Sequence, residues 1–122
     1  MKRTEAREKA FQYIYSRLFN NDAQLELEQE DENSKWATKI VTFFDNNRSQ
    51  IEELISSNLK GYTIARLNKI DLSIIMLAIV ELKYLTDEPK QIVINEAVEL
   101  AKKYSTEKSP RFINGFLAGL VN

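Results

Sequence analysis

The chain has 122 residues, of which 43% are hydrophobic and 29% are charged, and it contains neither cysteine nor histidine. This length fits one domain, residues 1–122, that can bury a hydrophobic core. The missing residue types exclude disulfides, thiolate metal sites, a cysteine nucleophile and the usual general base. We therefore expect a protein that is not an enzyme and that carries no metal and no cofactor.

The ends of the chain carry most of its positive charge. Residues 1–20 hold five Lys or Arg against two Glu, and residues 101–122 hold four against one Glu, although the net charge is −1. If the ends meet in space, they form a basic patch suited to a polyanion. The first ten residues are too charged for a secretory signal, and the longest apolar run, residues 74–80, is too short to span a membrane. A cytoplasmic protein without membrane contact is expected.

An amphipathic pattern over residues 3–20 predicts the first helix. Three arginines, Arg3, Arg7 and Arg17, fall inside its apolar arc instead of among its polar residues. Arg3 and Arg7 lie one turn apart, so they can pack their aliphatic stems on the bundle and offer guanidinium groups to phosphate. The alternative is that they form ion pairs with the acidic residues that follow.

Residues 21–33 form an acidic connection, which is either a solvated loop or a guard that repels other polyanions. Apolar residues at helical spacing then predict a second helix from residue 34, interrupted at Asn46 and Asn47, and a third helix over residues 49–60. A short turn leads to Asp71, which can cap the next helix or place a charge at its start.

The most apolar segment, residues 70–85, predicts a central buried helix that ends before Pro89. Glu81 interrupts this helix, and burial of an isolated charge would be very costly. Glu81 is therefore either paired inside the protein, for example with Arg66, or offered to a partner protein beside Tyr84 and Leu85.

Two further helices are predicted, over residues 91–104 and from Ser109, where a Ser-Pro pair is typical of a helix start. Gly115 and Gly119 indicate a close approach of the last helix to another helix. Residues 108–112 place two cations and a ring at a helix N-terminus, which favours binding of phosphate and of an unpaired base. In the alternative, Phe112 belongs to the core and Arg111 is only solvated.

Three segments resemble the NusB family. AREKAFQYIY at residues 6–15 is similar to the family's first helix, and RLNKIDLSIIMLAIVEL at residues 66–82 is similar to its central helix. INEAVELAKKY followed by FINGFL, within residues 89–117, matches its most distinctive stretch. Met76 and Val80 depart from the family, in which Arg and Tyr are common at these positions. The resemblance implies an all-α bundle of six or seven helices, built from two three-helix halves.

The resemblance also implies a function and its partners. A NusB-like protein is expected to be a transcription antitermination factor that binds boxA-type single-stranded RNA together with a small-subunit ribosomal protein acting as NusE. The complex would join RNA polymerase with NusA and NusG, chiefly on ribosomal RNA operons. The alternative is a helical protein-interaction module, or a homodimer, without an RNA role.

Matching positions give two expected surfaces. The RNA surface would comprise Lys2, Arg3, Arg7, Tyr15, Lys108, Arg111 and Phe112. The partner surface would comprise Glu81, Tyr84 and Leu85. The RNA interpretation requires the first turn of the opening helix and the start of the last helix to form one cationic face.

Overall fold

The computed structural model describes residues 1–27, 30–85 and 87–121, so Glu28 and Gln29 of the acidic connection, Thr86 and Asn122 lie outside the description. The described residues form five α-helices and no strand. The helices are α1 (Arg3–Arg17), α2 (Glu32–Asn58), α3 (Lys69–Ile79), α4 (Lys90–Tyr104) and α5 (Ser109–Val121), with a 3-10 turn at Ile64–Arg66 and a π turn at Val80–Tyr84. The predicted all-α class is confirmed.

The second and third predicted helices are a single kinked helix, α2, so the described α-helices number five instead of six or seven. Asn47 has φ −129° and ψ 20°, outside the helical region, and this residue marks the kink. Its side-chain amide donates to the carbonyl of Phe43 at 2.9 Å. Asparagine competes with the helical backbone in this way, which explains why the sequence indicated an interruption there.

Helix α3 is the buried centre of the bundle, as the sequence predicted. Every residue from 71 to 79 is buried, and α3 packs against each of the other four α-helices. Asn68, and not Asp71, caps it, because the Asn68 side chain accepts from the Asp71 N–H at 2.8 Å. The Asp71 carboxylate instead accepts from the hydroxyls of Ser105 and Ser109 at 2.5 and 3.0 Å. These bonds fix the α4–α5 connection beside the first turn of α3.

The predicted central helix is α-helical only as far as Ile79 and continues as the π turn. The N–H of Leu85 donates to the carbonyl of Val80, five residues earlier, at 3.0 Å. A π turn holds more residues than an α-helical turn and so redirects the side chains that follow it. Here Glu81 and Leu82 are buried, whereas Lys83 and Tyr84 are exposed.

The close approach predicted at Gly115 and Gly119 is wrong for the part of the chain that the structure describes. A methyl group added at either glycine would meet no atom within 4 Å. Both glycines are exposed, while the buried side of α5 consists of Ser109, Ile113 and Leu117. Across residues 1–27, 30–85 and 87–121, no helix has both the length and the apolar composition needed to cross a bilayer.

Candidate nucleic-acid interface

Arg7 lies inside the protein, with a side chain that is only 3% exposed. Its guanidinium donates to both carboxylate oxygens of Glu81, with Nε–Oε2 at 2.9 Å and Nη2–Oε1 at 2.8 Å. Nη2 also pairs with Glu88 at 3.1 Å, and Nη1 lies 3.7 Å from Glu96. The expectation that Arg7 offers its guanidinium outward to phosphate is therefore wrong, because burial and three carboxylates already engage it.

Arg3 belongs to the same group of side chains and is half-buried. Its Nε donates to Asn33 at 2.8 Å, and its Nη1 pairs with Glu88 at 3.0 Å. The guanidinium carbon lies 4.2 Å from the centroid of the Trp36 ring, on whose face the positive charge is favoured. The ion-pair alternative thus describes both arginines, but their carboxylates come from the π turn, from the connection that follows it and from α4, and not from the acidic connection.

We call Arg3, Arg7, Trp36, Glu81, Glu88 and Glu96 the arginine cluster. Burial lowers the pKa of Arg7, but the hydrogen bond and charge of Glu81 outweigh it, with help from Glu88 and Glu96. The pKa of Arg7 is therefore raised above its ordinary value. The cluster holds α1 against the π turn through the positive charge of Arg7, while burial raises the pKa of Glu81 despite its hydrogen bond with Arg7.

Glu81 is an internal ion-pair partner, as one of the two interpretations required, but it pairs with Arg7 and not with Arg66. Its side chain is 3% exposed, so the expectation that Glu81 contacts a partner protein is wrong for this conformation. Tyr84 and Leu85 do reach the surface. The Tyr84 ring stacks on Phe43, with centroids 5.7 Å apart.

Side chains of α1 contact side chains of α4. Arg7 pairs with Glu96, Glu8 pairs with Lys103 at 3.0 Å, and the Phe11 ring contacts the Tyr104 ring. The Tyr104 hydroxyl also donates to Glu8. Burial raises the pKa of Glu8, but the hydrogen bonds from Tyr104 and Lys103 outweigh it and hold that pKa below its usual value.

A series of rings continues from this contact toward the end of α1. The centroids of Phe11 and Tyr104 are 5.1 Å apart, those of Phe11 and Tyr15 are 6.4 Å apart, and those of Tyr15 and Phe19 are 5.1 Å apart. Tyr15 stands one helical turn past Phe11. We call these four rings the aromatic strip.

The start of α5 adds cations and a further ring. Lys108 and Arg111 are exposed, and neither forms an ion pair with any residue in the described ranges. Phe112 is half-buried and contacts Tyr62 and Phe116, with centroids 6.3 and 6.1 Å away. Phe112 therefore falls between its two interpretations, because it packs on the core along one side and reaches solvent along the other.

The structure does not form the single face predicted from Arg7 and Phe112. Arg7 binds Glu81 beyond the end of α3, whereas Ser109, which opens α5, binds Asp71 in the first turn of α3. Ten residues separate Asp71 from Glu81, which corresponds to about 15 Å along the helix axis. The sites around Arg7 and Phe112 are therefore separate.

The structure instead links Tyr15 to Tyr104, the last residue of α4, through the ring of Phe11. Phe19 was not predicted as a site residue, although rings at positions 11, 15 and 19 recur every fourth residue and so share one helix face. Tyr104 could not be added from the sequence, because its place in the strip depends on how α4 lies along α1. Lys2, at the other end of α1, is exposed.

No group of three or more His, Cys, Asp or Glu side chains is placed to hold a metal ion within the described part of the chain. The described residues thus form an all-helical bundle that neutralises arginines in its interior and presents rings along α1 and cations at the start of α5. Such an arrangement defines a class of small helical binding proteins.

The model of the NusB family matches residues 4–122, and the chain belongs to this family. Transcription antitermination protein NusB of Listeria innocua is 42% identical over 124 residues, covering 99% of this chain and 97% of that protein. The predicted family membership is confirmed.

Solved structures agree in fold. NusB of T. maritima matches with a TM-score of 0.90 and 30% identity, over 98% of this chain and 90% of that one. A chain from the crystal structure of antitermination factors NusB and NusE in complex with dsRNA matches with a TM-score of 0.84, over 97% and 94%. At 24% identity, that second likeness shows the fold alone.

Proposed function

We propose that the protein is a transcription antitermination factor that binds boxA-type RNA together with a small-subunit ribosomal protein acting as NusE. It joins the RNA polymerase complex with NusA and NusG, chiefly on ribosomal RNA operons. The observation that carries this proposal is the 42% identity, over nearly the whole chain, to a transcription antitermination protein NusB. A protein of the same fold occurs in a complex with NusE and dsRNA.

The proposal also covers the mode of action, the domain organisation and the location of the protein. The chain acts by binding and not by catalysis, as a single domain of residues 1–122 in the cytoplasm. A fold family does not by itself assign a site, so the surfaces are argued from the side chains.

We place the RNA surface on Tyr15 of α1 and on the start of α5. Tyr15 and Phe112 offer ring surfaces to unpaired bases, and Lys108 and Arg111 offer charges to phosphates. The N-terminus of α5 adds a partial positive charge at the same place. Lys2 is an outlying cation of this surface. Arg3 and Arg7 are left out, because carboxylates of the arginine cluster neutralise them.

We place the surface for the ribosomal protein at Tyr84 and Leu85, beside Phe43. The stacking of Tyr84 on Phe43 holds the ring in place before a partner arrives. Glu81 supports this surface from inside, since it fixes the π turn to α1 through Arg7. A substitution at Glu81 would therefore act through folding before it acts on the partner.

RNA binding by the mixture of this protein and the ribosomal protein, compared with each protein alone, tests the function. If Lys2, Lys108 and Arg111 neutralise about three phosphates, log affinity against log salt has a slope of about −2. Affinity then falls by about 15-fold between 50 and 200 mM salt. The double variant Lys108→Gln/Arg111→Gln flattens that slope by about 1.4.

The matched control is Lys35→Gln/Lys39→Gln, which removes two exposed charges from α2 and leaves the slope unchanged. An unaltered slope in the Lys108/Arg111 variant would contradict this placement of the RNA surface. Absence of RNA binding by the mixture would contradict the function itself, and self-association without RNA binding would favour the interaction module.

A further inference from the structure

We infer that Phe19 extends the RNA surface by one nucleotide, with its exposed ring stacked on the unpaired base next to the base held at Tyr15. This inference rests on the proposed RNA-binding function and deepens it. Phe19 is 63% exposed, the largest exposure among the large hydrophobic side chains of the described residues. Single exposed rings are common on protein surfaces, so the argument depends on what surrounds this one.

The first supporting observation is that the backbone of Phe19 is hydrogen-bonded and that its ring has a neighbour. The Phe19 N–H donates to the carbonyl of Ser16 at 3.1 Å, and the N–H of Asn20 donates to the same carbonyl at 2.9 Å. The Phe19 ring meets Tyr15 edge to face, at 65° between the ring planes. A ring ordered in advance loses little conformational freedom when it binds.

The second observation is that Phe19 is the outer end of a continuous strip. Each of the four rings has a neighbour whose centroid lies 5.1 to 6.4 Å away. Burial changes along the strip, from Phe11, which is 4% exposed, through the half-buried Tyr15 to Phe19. Successive rings that lead into solvent allow successive unpaired bases to stack, whatever their sequence.

Continuity with Tyr15, which the proposed function assigns to the RNA surface, indicates that RNA covers this strip. At its inner end, Lys103, whose ammonium lies 5.3 Å from the centroid of Tyr104, is balanced by Glu8 at 3.0 Å. Beyond Phe19 the chain turns acidic, with Asp22 and Glu26 both exposed in the connection to α2. A polyanion is therefore opposed past the outer end of the strip, which limits the extension to one base.

The test uses boxA-type RNA that carries 2-aminopurine at successive positions, with the ribosomal protein present at saturation. Wild-type protein should change the fluorescence at two adjacent positions. Phe19→Ala should abolish the change at one of them and weaken affinity by about tenfold. The salt slope should stay as in the wild type, because no phosphate contact is lost.

Two further variants separate stacking from simple apolar contact. Phe19→Trp should restore the lost fluorescence change, whereas Phe19→Leu, which has no ring, should behave like Phe19→Ala. Ile92→Ala is the matched control, since Ile92 is 46% exposed on α4 and should leave RNA binding unchanged. Thermal melting of the Phe19→Ala protein should match the wild type, because the ring buries little surface in the free protein.

The outcomes distinguish this inference from the function on which it rests. Equal RNA binding by wild type and Phe19→Ala, with both fluorescence changes intact, would overturn the role of Phe19 and leave the proposed function standing. Loss of self-association in Phe19→Ala without any effect on RNA would show that the ring contacts protein, which also overturns the inference. A wild-type mixture that binds no RNA would remove both.

Discussion

The two ends of α1 treat their side chains in opposite ways. Near its start, Arg3 and Arg7 are charged, yet they are enclosed by the arginine cluster. Past its end, Phe19 is apolar, yet it is the most exposed large hydrophobic side chain among the described residues. The difference shows that residue type does not decide exposure on this helix. Segments distant in the sequence decide it, because they supply carboxylates at one end and leave the other end uncovered.

The enclosed end is stable only as a complete set of charges. Two oppositely charged groups removed from water lose their hydration, and their mutual attraction offsets this cost only when the geometry is good. The paired hydrogen bonds between Arg7 and Glu81 meet this requirement. Truncation of a single side chain in the arginine cluster should consequently lower the free energy of unfolding far more than a similar truncation near the exposed end of α1.

The largest expected effect follows from removing Arg7. Arg7→Ala leaves the Glu81 carboxylate buried without its partner, and we expect a loss of about 3 to 5 kcal/mol in the free energy of unfolding, measured with urea. Arg17→Ala is the matched control on the same helix, because the partly exposed pair of Arg17 and Asp45 should contribute less than about 1 kcal/mol. Similar small losses of unfolding free energy in both variants would show that breaking the arginine cluster costs no more than breaking the pair of Arg17 and Asp45.

An intermediate effect is expected at Tyr13, on the face of α1 opposite the aromatic strip. The Tyr13 hydroxyl donates to Asp45 at 2.5 Å, and burial together with this carboxylate raises the pKa of Tyr13 to about 12. Tyr13→Phe should lower the free energy of unfolding at neutral pH by about 1 kcal/mol. This bond anchors the outer half of α1 to α2, so the exposure of Phe19 does not come from a frayed helix.

The pH dependence of stability provides a separate measurement of the same bond. Because the folded-state pKa of Tyr13 lies above its unfolded value near 10, its contribution is complete below about pH 10 and is lost as the pH rises through about 12. Urea unfolding at pH 9, 10 and 11 should therefore show a steeper decline for the wild type than for Tyr13→Phe. Parallel declines would contradict the raised pKa.

The smallest effect concerns α5, whose first turn carries Arg111 and Phe112. Gly115→Ala should stabilise the protein by about 0.5 to 1 kcal/mol, because alanine favours the helix and its methyl group meets nothing within 4 Å. Ala118→Gly, one turn further along the same helix, should lose a similar amount. Destabilisation by Gly115→Ala would mean that this face of α5 is already occupied.

Local patterns in the sequence predicted most of the helices, but they did not predict the contacts between the helices. The apolar arc of α1 placed Arg7 inward, and the apolar surroundings of Glu81 required a partner for its charge. The pairing of these two residues could not be predicted, because 74 positions separate them and many other basic residues were available. Without that pairing, Arg7 was assigned to the RNA surface and Glu81 to the partner surface.

The same limit applies to the candidate site. Tyr15, Lys108, Arg111 and Phe112 came from the resemblance and from local features, and their roles stay predictions. The aromatic strip needs the contact between Phe11 of α1 and Tyr104 of α4, which no local pattern contains. Asn46 and Asn47 show the reverse case, because a local pattern correctly marked Asn47 as irregular but could not tell a kink from a break.

The π turn has a consequence for which residues can share one short segment. In a regular α-helix, residues three positions apart lie on the same face, so Glu81 and Tyr84 would both be buried or both be exposed. The wider turn separates their directions, and a single segment supplies an interior charge and a surface ring. The number of residues between Ile79 and Leu85 is therefore constrained as tightly as their identity. Deletion of one residue there would bring Glu81 and Tyr84 onto the same face, so that one could not stay buried while the other stays exposed.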